Sequence, residues 1–298
     1  MITEETKYCI KLLSLPNVGP KTFYSIMNTL QQQGKDISAL FRMNKEQLTE
    51  ISKIGNFRQS SEIIQNILDV DMNNETNDII FQELCDRGVK IIPSTTDTYP
   101  QKLKKKLNDN APPLLYIYGN KNLLKVKSVA IIGKRNASEE SIKITKMVAE
   151  KMASAGYNII SGYAKGIDTA AHLGALASEG TTTIVLPFGI FEFKLKEEFK
   201  KIQNLKQNML IISQFPPHLN WQISSAMQRN ATVVGLSDAV FAIEFDKDGG
   251  TWDAIVKALK IDVPVFLSDT PENRKIFIER EEKPIFTKFE DYVPAISQ

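Results

Sequence analysis

Apolar residues recur along the chain with two different periods, and the change of period divides it. Up to about residue 70 they fall at helical spacing, in Ile10–Leu15, Phe23–Leu30, Ile37–Phe41 and Ile63–Leu68, which predicts short helices. The polar run Asp69–Asn77 has little to bury and reads as a linker or an exposed connection. From Asp78 onward short apolar strands alternate with helices nearly to the end. A helix over 78–87 and a strand over Lys90–Ile92 come first, then an irregular basic segment from Tyr99 to Gly119. Strands follow at 129–132, 158–161, 182–186, 209–213, 239–245 and 263–267. Helices are expected between them at 138–155, 166–179, 194–206 (a charged one), 224–235 and 251–260. Beyond Phe277 the pattern assigns neither element.

Apolar strands separated by helices of this length require right-handed crossovers and a parallel sheet covered on both faces. The expected fold is therefore α/β, a Rossmann-like, doubly wound, mostly parallel sheet preceded by a small all-α domain. The boundaries read as 1–70 for the helical domain, 71–127 for a linker and basic lead-in, and 128–298 for the Rossmann-like domain.

Composition narrows the function. With 42% apolar and 24% charged residues and a formal net charge of +2, the 298-residue chain is an ordinary globular protein rather than a polybasic one. Any affinity for nucleic acid must then come from local patches. Cys9 and Cys85 lie far apart without metal-ligand spacing, and the acidic N-terminus is unlike a secretory signal. No apolar run approaches the roughly 20 residues that span a bilayer. A cytoplasmic protein without membrane, metal or cofactor is the expectation.

The chemistry concentrates at the ends of the strands. The first core strand ends in Gly133-Lys134-Arg135, and the second in Ser161-Gly162-Tyr163-Ala164-Lys165-Gly166-Ile167-Asp168. A third strand end gives Gln214-Phe215-Pro216-Pro217, ahead of Arg229-Asn230, and a fourth gives Asp248-Gly249-Gly250-Thr251. In a parallel sheet these turns share one edge. Glycine-exposed amides and cations there attract phosphate. The dinucleotide fingerprint is missing, as is the acid that would clamp a ribose, so NAD or FAD use is not expected. Asp168 reads as a helix cap or as the partner that orients Lys165. His172 reads as a packed, hydrogen-bonded histidine, and His218 follows Pro216-Pro217 in a loop. Phe215 and Trp221 suit either base stacking or core packing.

Near the N-terminus, Leu15-Pro16-Asn17-Val18-Gly19-Pro20-Lys21 is similar to a helix-hairpin-helix turn, echoed loosely by Ile51-Ser52-Lys53-Ile54-Gly55. Val18, Gly19 and Lys21 are its candidate contacts to a DNA phosphate; a turn kept only for packing is the plainer alternative.

Taken with Tyr99-Pro100, Ala111–Gly119 and Gly235–Asp238, the turns in this order resemble the DNA-processing protein A family, DprA/Smf. That resemblance implies sequence-independent binding of single-stranded DNA, loading of a RecA-type recombinase, a role in natural transformation, and a homodimer. It implies no catalysis. Carried over by position, the phosphate site comprises Gly133, Lys134, Arg135, Ser161, Gly162, Lys165, Gly166, Arg229, Asn230, Gly249, Gly250 and Thr251. The chain departs from the family pattern at Lys134, Tyr163 and Lys165, and it has Ala231-Thr232-Val233 where a second arginine is common. The competing reading is a nucleotide-derivative hydrolase or sensor of the LOG type, similar in Gly249-Gly250-Thr251, which would need Asp253 as its general acid/base.

Overall fold

The computed structural model describes residues 3–70, 75–268, 273 and 285–287. The chain divides into two compact units, Met1–Tyr99 with Asn108–Tyr116, and Pro100–Leu107 with Ile117–Gln298.

The first unit contains α1 (Glu4–Ser14), α2 (Pro20–Gln32), α3 (Ile37–Leu40), α4 (Lys45–Ile54), α5 (Ser60–Leu68), α6 (Glu75–Asp86) and β1 (Lys90–Pro93). Local chemistry sets these boundaries. Pro20 opens α2 directly after Gly19, Asp36 caps α3 with its carboxylate, and Asn44 and Gln47 form a reciprocal capping box on α4. The helices bury Cys9, Leu12, Phe23, Ile26, Leu30, Leu40 and Leu48 together. Burial pushes the Cys9 thiol up to about 12, so it is an inert core residue. Ser25 Oγ donates to the Gly55 carbonyl at 2.5 Å, tying α2 to the turn that follows α4. Of the expected linker, residues 71–74 lie outside the described residues, and α6 already begins at Glu75.

The second unit holds α7 (Gln101–Leu107) and the end of β2 (Leu114–Gly119). It continues with β3 (Ser128–Ile132), α8 (Glu139–Ser154), β4 (Asn158–Ser161), α9 (Ile167–Ala177) and β5 (Thr182–Val185). Then come α10 (Leu205–Asn208), β6 (Met209–Ser213), α11 (Ile223–Leu236), β7 (Ala239–Ala242), α12 (Gly250–Lys260), β8 (Val265–Ser268) and β9 (Ile285–Thr287). The strands lie in the order β2-β6-β5-β4-β3-β7-β8-β9, and the pairs from β6 through β9 are parallel. This is the Rossmann-like, doubly wound sheet expected from the alternation. Val129 and Ile131 of β3 face a core shared with Ile159, Met152 of α8 and Ala171 and Ala175 of α9. Helices α11 and α12 pack on each other, and α11 also lies against β3, β4 and β5.

Two expectations fail. The segment 99–119 is not irregular, because Leu103 and Leu107 are four residues apart and bury one face of α7 against Gly235 of α11. The charged helix over 194–206 is replaced by short 3-10 turns at Ile190–Glu192 and Glu197–Phe199 followed by the four-residue α10. The reason is that the Lys196 side chain turns inward onto the loop after β4, and Phe199 is fully buried. Beyond 268 only Asn273 and β9 are described; β9 is a strand that the pattern did not mark, and the remaining residues lie outside the described ones.

Helices α8 and α9 approach closely at Gly174, where a Cβ would stand 2.6 Å from the Lys146 carbonyl oxygen. Gly174→Ala should therefore separate the two helices and cost about 1–3 kcal/mol of stability, read as a lower urea midpoint. An unchanged midpoint would contradict the close approach.

Candidate nucleic-acid interface

Because β3, β4, β6 and β7 run parallel, the turns that follow them share one sheet edge, and a cavity of about 690 Å³ opens there. Among the candidate residues, Gly133, Lys134, Arg135, Gly162, Arg229, Asn230, Gly249, Gly250 and Thr251 line it. Lys165 and Gly166 instead line a second cavity of about 640 Å³ with Lys146, Lys194 and Lys196. Ser161 lines neither cavity: it is fully buried and its hydroxyl donates to the Ile131 carbonyl at 2.6 Å, joining β4 to β3.

Arg229 forms the floor of the site. It projects from α11 and is only 8% exposed, with Nη1 donating to the Val185 carbonyl at 2.9 Å. Its Nε, also buried, has no hydrogen-bond partner among the described residues. Burial lowers its pKa; Asp168 opposes that shift and Arg135 adds to it, yet a guanidinium stays charged. Gly162 lies directly over the guanidinium, and any Cβ there would collide with Nη1 and with Asp168. The Asp168 carboxylate accepts from the Ala164 N–H at 3.2 Å and so shapes the loop.

The two loops at the β3 and β4 ends are locked together. Gly166 has φ +75°, and a Cβ there would run into the carbonyls of Lys134 and Arg135. Lys196 Nζ donates to the Tyr163 and Ala164 carbonyls, both at 3.1 Å, and to Thr169 Oγ1 at 2.8 Å, while lying 4.2 Å above the Tyr163 ring. From beneath, His172 Nε2–H donates to the Gly162 carbonyl at 2.6 Å, and Nδ1 meets the Thr182 hydroxyl at 2.6 Å. Complete burial holds this histidine down to about 4, so it is neutral and supports the loop.

Other candidates serve the cavity indirectly. Asn230 Nδ2 donates to the Gly250 carbonyl at 2.9 Å and to Asp253 at 3.0 Å, fixing the turn into α12. Gly249 caps that helix at φ +136° with no side-chain acceptor, which leaves the Gly250 and Thr251 amides as donors beside the cavity. Lys134 is held by Asp246 at 2.7 Å and Glu244 at 3.7 Å, and these carboxylates raise its pKa. Despite some burial, bonds from Ser138 and Ser141 and the charge of Lys134 keep Glu244 below the usual carboxylate range. Asp253, which a LOG-type hydrolase would need, instead pairs with Lys257 at 2.5 Å and accepts from Asn230. Phe215 is core, whereas Trp221 stays half-exposed on the rim. The residues that position fixed poorly are Asp246 and Glu244: they are adjacent to Lys134 in space but more than a hundred places away in sequence. In the first unit, Val18 is buried while Lys21 is exposed at the start of α2, whose N-cap Gly19 carries no side-chain acceptor.

Comparison with known proteins places these observations. The family model described as DNA recombination-mediator protein A matches residues 90–278, well over half of the chain. The chain belongs to that family. It is 25% identical over 182 residues to the DNA processing protein DprA of Bacillus subtilis, covering 61% of each chain. It is 31% identical over 170 residues to the DprA of Streptococcus pneumoniae, covering 57% of this chain and 59% of the relative. It thus spans about 60% of the length of these curated relatives. The solved S. pneumoniae DprA shares the fold, with a TM-score of 0.77, 23% identity and 98% coverage of both chains. A DprA structure from Helicobacter pylori, described for its single-stranded DNA binding mode, matches at TM-score 0.59 and 25% identity over 70% of this chain and 95% of that one. Among the described residues no helix is long and apolar enough to cross a membrane.

The depressed His172 pKa makes stability depend on pH with a definite sign. The unfolded imidazole, near 6.5, takes a proton before the folded one, near 4, so its contribution is present above pH 6.5. It is lost as pH falls from 6.5 to 4, at up to about 1.4 kcal/mol per pH unit. Urea melts across that window should show the loss in the wild type and a flatter profile in His172→Asn. Parallel profiles for the two proteins would contradict the assignment.

Proposed function

We propose that this protein binds single-stranded DNA without base specificity by seating a backbone phosphate in the Gly133–Arg229–Gly249 cavity, and that it acts there without catalysis. The observation that carries this reading is Arg229, a buried guanidinium in the cavity lining whose Nε has no partner among the described residues, with Arg135 at the same cavity. A phosphate oxygen would lie against the Arg229 guanidinium, accept from the amides at the start of α12, and relieve the repulsion between the two arginines. Membership of the recombination-mediator family and the DNA-binding relative from H. pylori support the same ligand. Loading of a RecA-type recombinase onto the bound strand, a role in natural transformation, a homodimer and a cytoplasmic setting complete the proposal on the strength of the family. The exposed Lys21 at the first-unit hairpin is proposed as an auxiliary backbone contact together with Val18 and Gly19, and Lys165 as a contact beyond the main cavity.

The cavity carries as many carboxylates as cations. Lys134, Arg135 and Arg229 are matched by Asp168, Asp246 and Asp248. Affinity therefore depends on which charges remain available. The ion pair with Asp246 occupies Lys134, so the arginines and the helix amides do the binding.

Fluorescence anisotropy with a short oligothymidine, repeated over a salt series, tests this. Affinity should fall steeply with salt and vary little with base sequence. Arg135→Ala, at an exposed position, should weaken binding by about 1–3 kcal/mol. Wild-type affinity in that variant would remove the pocket assignment. Asp246→Asn should act in the opposite direction: releasing Lys134 tightens binding several-fold and steepens the salt dependence. Weaker binding in Asp246→Asn would show that the ion pair is needed to shape the loop.

A further inference from the structure

A phosphate site needs cations and amides, yet the mouth of this cavity also carries a large apolar surface. Trp221 is 46% exposed and Ile223 is 72% exposed, and both line the cavity at the start of α11. Exposing an indole and an isoleucine side by side is unfavourable unless something covers them. The Arg135 guanidinium sits 5.6 Å from the centre of the Trp221 ring, so the rim joins a phosphate-binding cation to an aromatic face. A lone anion has no use for that face.

We propose that Trp221, seated beside Ile223, is a stacking platform for an unpaired base whose phosphate lies in the adjoining cavity; the proposal rests on the DNA-binding reading above. Nucleobases of every kind present a π-face, so a tryptophan platform adds affinity without selecting sequence. Arg135 then has two functions. Its contact with the ring steadies the indole, and its remaining N–H groups face the phosphate. The platform also accounts for a preference for single strands, since a base inside a duplex already has its faces stacked and cannot reach an indole at the rim. Ile223 borders the platform and shields the edge of the stacked base from water.

Intrinsic fluorescence tests this directly, because the chain has only two tryptophans and the other, Trp252, is buried and stacked on Phe245. Oligothymidine and an abasic oligonucleotide of equal length are titrated into wild type, Trp221→Ala and Trp221→Phe, with circular dichroism as a check on folding. Wild-type emission should be quenched by oligothymidine and not by the abasic strand, and oligothymidine should bind about tenfold more tightly or better. Trp221→Ala should lose both the quenching and the difference between the two strands, and Trp221→Phe should recover most of the difference. A Trp221→Ala protein that still prefers oligothymidine by the wild-type ratio would overturn the platform while leaving the phosphate site standing. If the wild type binds neither strand, the underlying DNA-binding reading fails and the platform fails with it.

Discussion

The second unit is organised around one buried charge. Arg229 reaches from α11 to the sheet edge and spends Nη1 on the Val185 carbonyl, at the end of β5. A buried guanidinium is costly unless its donors are satisfied, and its Nε has no partner among the described residues. The neighbouring elements fit around this charge: Gly162 has no side chain because the guanidinium occupies that space, and Asp168 opposes the pKa depression that burial imposes. A fold that keeps an unpaired cationic donor in its interior carries a strain that an anion would relieve.

Support for the site spreads outward through polar contacts rather than through packing alone. His172 holds the Gly162 carbonyl from below, Lys196 holds the Tyr163 and Ala164 carbonyls from the side, and Gly166 lies flat on the carbonyls at Lys134 and Arg135. Asn230 does the same for the turn into α12. His172, Lys196 and Asn230 look chemically active in isolation, yet each spends its hydrogen bonds inside the fold, on backbone carbonyls and on Thr182, Thr169 and Asp253 respectively. The surface left facing the cavity is small: two arginines, the start of α12, and an aromatic rim. Such a surface suits repeated contact with a flexible polyanion, where each phosphate and base adds a little and sequence does not matter.

Much of this was legible in the sequence for a physical reason. Strands buried on both faces read as uninterrupted apolar runs, so β3 through β8 and the long helices α8, α9, α11 and α12 emerged from hydrophobic pattern alone. Glycines and cations at the strand ends marked the lining of the cavity, because parallel pairing puts those ends on one edge. What failed depended on contacts between distant residues. The α7 helix was obscured by its run of lysines, though Leu103 and Leu107 anchor it, and the helix expected over 194–206 gave way because Lys196 is drawn inward to the loop after β4. Ser161 and Lys134 were both phosphate-site candidates, but the Ser161 hydroxyl bonds across to β3 and Lys134 pairs with Asp246. Hydroxyl and ammonium groups reveal their partners only after the chain has folded.

The central claim is that the Arg229 guanidinium is the charge that a phosphate in the cavity would meet, and side-chain NMR of 15N-arginine-labelled protein reports on that group through its Nε–H. The Arg229 Nε–H signal can be assigned by its disappearance in Arg229→Lys. On addition of a short oligothymidine, that signal should shift and its exchange with water should slow, as expected for a new charge-assisted hydrogen bond. An Arg229 signal that stays in place while the oligonucleotide binds and moves the Arg135 signal would contradict the account, and would put the strand on the rim instead of in the cavity.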